Sequence, residues 1–308
     1  IEMELGKPVE RVFAEFDDRA TASASIGQIH QASLLTGEAV VVKVQHQGIE
    51  ERISNDLDIL LSLAELAEKH DPEIKLYQPR AMVVEFRRQL LRELDFRREL
   101  RNLQQFARNL ENDEGVHIPR PYPELSARRV LTMERIEGFG IADVDLLRRE
   151  GIDTGELARR GAGIFLEMVF RDGFYHADPH PGNLFITPEG KLIMVDFGMT
   201  GSITPDLRET LVEMVFSLVN RDYAQVTEYL KQLGFIRYDY DNQALNRAIS
   251  IFLEELVGSG QDLSSLDLQA LLRDLETLLY EQPFQVPANF TFLGRALGTL
   301  YGICIDLD

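Results

Sequence analysis

Residues 39–44, AVVVKV, set one lysine inside an otherwise apolar, β-branched run. A compact run of this kind reads as a strand, and a strand fixes the face to which each side chain points. The alternating segment IGQIHQASL (26–34) lies just before it, and TGE (36–38) between the two has turn chemistry, so residues 26–44 are predicted to form an antiparallel hairpin. The fold must therefore give Lys43 either a snorkelling position at a sheet edge or an anion to hold.

Helical spacing follows the hairpin. Ile53, Leu57, Leu60, Leu61 and Ala64 mark one helix over residues 50–69, and residues 84–110 continue in the same manner. In that second segment Phe86, Leu90 and Leu94 define one stripe, while Phe96, Leu100 and Leu103 define another rotated from it, which predicts a bend or break near residue 95. RRVLTMERIEG (128–138) reads as a strand running into a connector, and GELARRGAGIFLEMVFRDG (155–173) as a buried helix. NLFITPEGKLIMVDFG (183–198) reads as a second hairpin, turned at TPEG. From Pro205 onward the pattern is helical, broken near Gly234, Gly258 to Gly260 and Pro283 to Pro287. The class is α+β: a small β-rich part with two inserted helices (1–135), then a larger, mostly helical part (136–308).

Composition narrows the function. With 308 residues, 44% of them apolar, the chain suits one large domain or two closely packed lobes. Lys plus Arg number 32 against 51 Asp plus Glu, a net charge of −19. Such a surface repels phosphate backbones and does not favour an anionic membrane, so nucleic acid is excluded as an expected partner. Any phosphate must then be met by a few local cations, backbone amides or a metal. The single cysteine, Cys304, allows no internal disulfide, fits a reducing compartment, and reads as a small buried apolar residue. No stretch approaches about 18 uninterrupted apolar residues and no signal peptide is visible, so the chain is expected to be soluble. Its start at Ile1 reads as an excised core.

The densest chemistry lies in HADPHPGN (176–183). In isolation it is turn chemistry. His176, Asp178 and His180 also offer an H-x-D-x-H metal site, but His30, His46, His70 and His117 show no paired spacing that would complete one. Order and spacing favour a third reading. A strand lysine (Lys43) is followed by Asp178 and Asn183, five apart, and by Asp196 of a DFG thirteen residues later. That is the layout of phosphoryl-transfer sites built on the protein-kinase plan. In that layout Lys43 holds the α- and β-phosphates, Asn183 and Asp196 supply hard oxygen ligands for Mg²⁺, and Asp178 accepts or orients the proton of an attacking hydroxyl or water. His176 then packs under the loop and His180 shapes it. Only FGMTGSIT separates Asp196 from the helix start at Pro205, and there is no A-P-E motif, so a peptide acceptor is not expected.

ASASIGQIHQASLLTGEAVVVKVQHQGI, LLRELDFRRELRNLQQF, VLTMERIEG, HADPHPGNLFI and VDFGMTG, in this order, closely resemble the UbiB (ADCK/AarF-type) family of atypical protein-kinase-like proteins, from about residue 1 to 308. The resemblance implies a bilobal kinase-like fold that binds ATP or ADP with Mg²⁺ or Mn²⁺. It also implies ATPase or small-molecule phosphotransferase activity, with a supporting role in ubiquinone or other prenylquinone lipid metabolism. By the same resemblance the glycine-rich loop is replaced by an alanine-rich one, here Ala22, Ser23, Ala24, Ser25, Ile26, Gly27 and Gln28. Lys43 matches the strand lysine and Glu99 its helix partner; Glu93 and Asp95 form the E-x-D motif; the backbone of Glu134 and Ile136 corresponds to the adenine-facing hinge. On one continuous helix, six residues place Glu93 and Glu99 240° apart, so geometry alone leaves the choice between them open, and Glu99 rests on the resemblance. Pairing of these carboxylates with Arg92, Arg97 and Arg98 is the plainer alternative.

Family members usually carry an N-terminal K-x-G-Q segment over the active site and often C-terminal membrane helices; these 308 residues contain neither. The expectation is a more open pocket, with membrane association only through such segments and a location at the cytoplasmic side of a membrane or in an organelle. Two other functions compete: an aminoglycoside- or choline-phosphotransferase-like kinase, which the E-x-D motif and alanine-rich loop argue against, and a non-catalytic nucleotide-sensing scaffold, which a complete catalytic set argues against.

Overall fold

The computed structural model describes residues 1–23, 25–70, 74, 78–236 and 286–307. Ala24 of the alanine-rich loop, and the predicted helices and breaks over 237–285, lie outside the described residues. The chain divides into two compact units, Ile1–Gly140 with Asn183–Met199, and Ile141–Gly182 with Thr200–Asp308. Residues 136–140 and 183–199 fall in the first unit. Strand pairing is the reason: a hairpin from residues 184–194 completes a sheet begun earlier in the chain.

In the first unit a short helix α1 (Glu2–Leu5) precedes β1 (Phe13–Phe16), β2 (Ala22–Ser23), β3 (Gly27–Leu34), β4 (Ala39–Gln45) and β6 (Val130–Glu134). The sheet order is β1-β3-β4-β6, with β2 pairing β3. The β3/β4 hairpin is antiparallel and turns through Gly37 at φ +97°, a conformation that favours glycine. Period-2 alternation sorts β4. Val40 and Val42 face a core with Phe13, Ala32, Leu34, Tyr122 and Val130, while Lys43 and Gln45 face the other way. At Lys43 and Gln45 that second face is closed off by Glu99 and the Leu94 carbonyl.

Two helices, α2 (Ile49–His70) and α3 (Pro79–Glu93), are inserted after β4 and pack chiefly on each other. Of the predicted stripes, Leu57 and Ala64 are buried, whereas Leu60 and Phe86 are exposed, because a two-helix insertion buries only the facing seam. The predicted break is real: α3 ends at Glu93 and α4 (Phe96–Asn109) begins at Phe96. Phe96, Leu100, Leu103 and Phe106 bury one side of α4, each worth about 1.5–3 kcal/mol of transfer free energy. The second sheet runs β5 (Val116–His117), β10 (Leu192–Met194), β9 (Leu184–Ile186) and β7 (Phe139–Gly140).

In the second unit α5 (Val144–Arg149) leads to α6 (Thr154–Glu167), which is N-capped by Asp153 and continues through a π turn, Met168–Asp172. Gly173 ends it at φ +62°, where a Cβ would lie 2.8 Å from the Ile203 carbonyl oxygen. β8 (Phe174–His176) pairs antiparallel with β11 (Thr200–Ser202). Then follow α7 (Pro205–Val219), capped by Thr204, α8 (Tyr223–Gln232), capped by Asp222, and, beyond the undescribed stretch, α9 (Ala288–Leu307). Gly234 breaks the pattern at φ +82°, where the sequence predicts.

Helix α9 packs on α6, where Cys304 is half-buried and its thiol lies 3.7 Å from the Ala158 carbonyl. It also bears on the membrane expectation. Phe290–Leu307 is 18 residues with mean hydropathy 1.2, long and apolar enough to cross a membrane, and 28% of that window is buried. Gly and Thr interrupt its apolar run, and its only charges are Arg295 and Asp306.

Candidate active site

In the first unit, β4 delivers Lys43 to a position where only 5% of the residue is exposed. Its Nζ lies 2.9 Å from both Oε1 and Oε2 of Glu99 and 3.5 Å from Oδ2 of Asp196. The Phe96 ring packs against the same ammonium, 5.3 Å from centroid to Nζ. Burial alone pulls the Lys43 pKa down, but the Glu99 and Asp196 carboxylates outweigh it and hold the ammonium above its ordinary value. Burial pushes the Glu99 carboxyl up, with Lys43 pulling against it. Lys43 is a charged lysine held by two carboxylates, because the opposite charges answer the cost of its burial.

Local sequence explains why Glu99 arrives there. Asp95 adopts extended backbone and its side chain accepts from the Arg97 amide, capping α4. The Phe96 amide donates to the Arg128 carbonyl, and Gln45 donates to the Leu94 carbonyl, fixing the break against β4 and the residues before β6. The chain is therefore not one helix through residues 93–99, so the 240° separation does not apply. Glu99 makes the contact with Lys43, while Glu93, at the end of α3, still feels the fields of Asp196 and Lys43, its pKa raised first by burial and then by Asp196. Asp95 is bound by Arg97 at 2.7 Å, and that hydrogen bond holds its carboxyl below the ordinary range.

Helix α4 also holds the DFG segment. Asn102 Nδ2 donates to the Phe197 carbonyl at 2.8 Å, the Glu99 carboxylate accepts from the Phe197 backbone, and the buried Phe197 ring packs 5.0 Å from Phe106. Asn102 and Phe106 escaped the sequence reading. Their signal was spacing, since three and seven residues beyond Glu99 is one face of a helix. Asp196 itself sits at φ +57°, a left-handed conformation that Asp tolerates better than most residues, and its Oδ1 accepts from Gly198 N–H. Asn183 is buried and its carbonyl accepts from Val195 N–H, extending the β9/β10 register by one pair. That register brings Asn183 and Asp196 to the same end of one hairpin.

The alanine-rich segment is built around the β2/β3 pairing, Ala22 with Ile29 and Ser23 with Gln28. Ser25 is exposed, Ile26 accepts from His46 N–H, and Gln28 Nε2 lies 3.3 Å from His46 Nδ1. Gly27 has no room for a side chain: a Cβ would stand 2.8 Å from the Val44 carbonyl oxygen. At the connector after β6, the Glu134 amide donates to the Arg120 carbonyl and the Arg135 amide to Ala39. The Glu134 carboxylate accepts from Arg120 N–H and lies 3.1 Å from His117 Nε2. The half-buried Ile136 follows.

In the second unit, Asp178 N–H donates to Nδ1 of the fully buried His176 at 3.2 Å. Gly182 N–H donates to Nδ1 of His180 at 3.0 Å, so the ring proton of a neutral His180 sits on Nε2, which lies 3.9 Å from Asp178 Oδ2. Both histidines thus commit a ring nitrogen to loop amides, and among the described residues no three His, Cys, Asp or Glu gather as a metal site. Asp178 Oδ1 accepts from Arg295 Nη2 of α9 at 2.8 Å, a contact the sequence reading missed.

A strand lysine paired to a helix glutamate and to an aspartate after a β-hairpin, with a helical remainder, defines a protein-kinase-like chain. Residues 1–230 match the ABC1 atypical kinase-like domain, and the chain belongs to that family. It is 37% identical over its whole length to the uncharacterized protein sll1770 of Synechocystis, covering 52% of that protein. It is 35% identical over its whole length to ACTIVITY OF BC1 COMPLEX KINASE 7, chloroplastic, of Arabidopsis thaliana, covering 44% of it. Over 77% of the chain it is 41% identical to the probable protein kinase UbiB of Marinobacter nauticus, covering 44% of that protein. The chain spans about half the length of the curated relatives it matches. Rv3197 of Mycobacterium tuberculosis, solved in complex with erythromycin, shares the fold at a TM-score of 0.69 over 99% of this chain and 77% of that one, with 22% identity.

Proposed function

We propose that the chain is a UbiB-type kinase or ATPase that uses ATP with Mg²⁺ or Mn²⁺ and transfers the γ-phosphoryl group to water or to a small or lipidic acceptor, a prenylquinone precursor being the acceptor that the UbiB resemblance suggests. The observation that carries this reading is the pinned ammonium: Lys43, 2.9 Å from both oxygens of the buried Glu99 and 3.5 Å from Asp196, is oriented by two carboxylates rather than left to snorkel. The donor set fits a metal-bound polyphosphate. Asn183 and Asp196 are hard oxygen donors at one end of a hairpin, and the Asp196 side chain keeps 46% of its surface accessible while one oxygen meets Lys43. A divalent cation held there would neutralise charge on the transferring phosphate.

The chain's own residues do the rest. Lys43 holds the α- and β-phosphates, and Glu99 keeps its ammonium fixed. The alanine-rich segment offers backbone amides, with less freedom than glycine allows. Because the Glu134 amide is committed to Arg120, recognition of the adenine edge at Glu134 falls to its carbonyl, with Ile136 beside it in sequence. Asp178 orients the attacking hydroxyl or water, and a positioned base is worth about 10²–10⁴ in rate.

Asp196→Asn tests the reading, since Asn tolerates the left-handed backbone as well as Asp does. The parent protein is expected to gain thermal stability with ATP and Mg²⁺ and to release phosphate. Asp196→Asn should remain folded and lose phosphate release by about 10²-fold or more. Undiminished hydrolysis by Asp196→Asn, or a parent melting temperature blind to nucleotide, would overturn it.

A further inference from the structure

We propose that Arg295 is a positioning residue for Asp178, acting from the last described helix. This rests on the reading of Asp178 as the group that orients the attacking hydroxyl or water. Within Phe290–Leu307 the side chains are almost all uncharged, and Arg295 and Asp306 are the exceptions. Leu293 and Ala296 flank Arg295 and are buried, as are Phe290 and Ile303, so the backbone that carries the guanidinium is fixed. From there Nη2 reaches across 117 residues of sequence to Oδ1 of Asp178 at 2.8 Å, a charge-assisted hydrogen bond.

The pair adds little to stability. Arg295 has 56% of its side chain exposed and Asp178 23%, and ion pairs at such exposure are largely offset by solvent screening and side-chain ordering. Its consequence is directional. The carboxylate torsion of aspartate is broad and roughly two-fold, so a carboxylate with no fixed donor samples many orientations. Arg295 takes Oδ1, and the nearest histidine nitrogen, His180 Nε2, stays 3.9 Å from Oδ2. The Arg295 bond thus sets the plane in which the carboxylate meets the acceptor.

The test is a double-mutant cycle on ATP hydrolysis with Arg295→Ala, Arg295→Gln and Asp178→Asn, using the full chain. Arg295→Ala is expected to lower kcat by about 10- to 100-fold, the scale of a misplaced catalytic group, with KM for ATP within about twofold of the parent. In the Asp178→Asn background the same change should have no further effect, and added ethylguanidinium should restore part of the Arg295→Ala rate only where Asp178 is present. The amides of Asp178, His180 and Gly182 should exchange hydrogen faster in both Arg295 variants. Arg295→Gln keeps the stem packed and serves if the alanine variant folds poorly. An equal loss with and without Asp178, or a raised KM with unchanged kcat, overturns the proposal. If Asp178→Asn is itself fully active, the reading of Asp178 fails; if Asp178→Asn is crippled while both Arg295 variants match the parent, this inference alone fails.

Discussion

Lys43 and Glu99 are each about 95% removed from solvent, and that burial sets what their replacement does. Taking one partner from a buried pair strands the other charge, at a cost of about 3–5 kcal/mol, whereas replacing both with apolar side chains of similar volume is often neutral. Lys43→Met should therefore lower the urea midpoint sharply, and Lys43→Met with Glu99→Leu should regain most of the loss while remaining inactive. A double variant as unstable as the single one would show that the pair is not the electrostatic unit drawn here. The sign with pH follows from the lysine: its folded value lies above the ordinary 10.5, so its contribution is complete below that value and is lost only as alkaline pH climbs through the raised one.

At the scale of elements, α4 couples the strand lysine to the DFG segment, and Asp95 decides where that helix starts. Asp95→Ala should cost about 1 kcal/mol through the lost cap, and Asp95→Asn much less, because Asn caps nearly as well. The Asp95 carboxyl is held below its ordinary 3.8, so its contribution is present above that value and fades as pH falls through the lowered one. Melting curves at pH 7 and near pH 3 should show the Asp95→Ala deficit shrinking in acid; a constant deficit would assign it to packing. Much of this element was legible beforehand. The rotation between the Phe86–Leu94 and Phe96–Leu103 stripes located the break, and period 2 in AVVVKV located the strand. What stayed hidden depends on distance in sequence or on where a helix stops. The choice of Glu99 over Glu93 needed the break to within one residue, Asn102 reads as an ordinary solvated polar residue, and Arg295 finds Asp178 only through tertiary packing of an otherwise apolar helix.

For the molecule as a whole, charge and ligand are in conflict. A chain with net charge −19 is proposed to bind a polyphosphate, so attraction must come from the local set around Lys43 and the rest of the surface opposes the approach. Salt acts unequally on the two. The screening length falls from about 30 Å at 0.01 M to about 8 Å at 0.15 M, which suppresses repulsion from distant exposed carboxylates while leaving a buried, contact-range ammonium largely unscreened. Nucleotide association, followed by stopped-flow with a fluorescent ATP analogue at constant free Mg²⁺, should therefore quicken between 0.01 and 0.15 M salt, with the dissociation rate nearly constant. A basic approach surface would give the opposite trend, as it does for proteins that bind phosphate through exposed lysines and arginines. Association that slows several-fold over that range would mean that cations other than Lys43 govern the encounter.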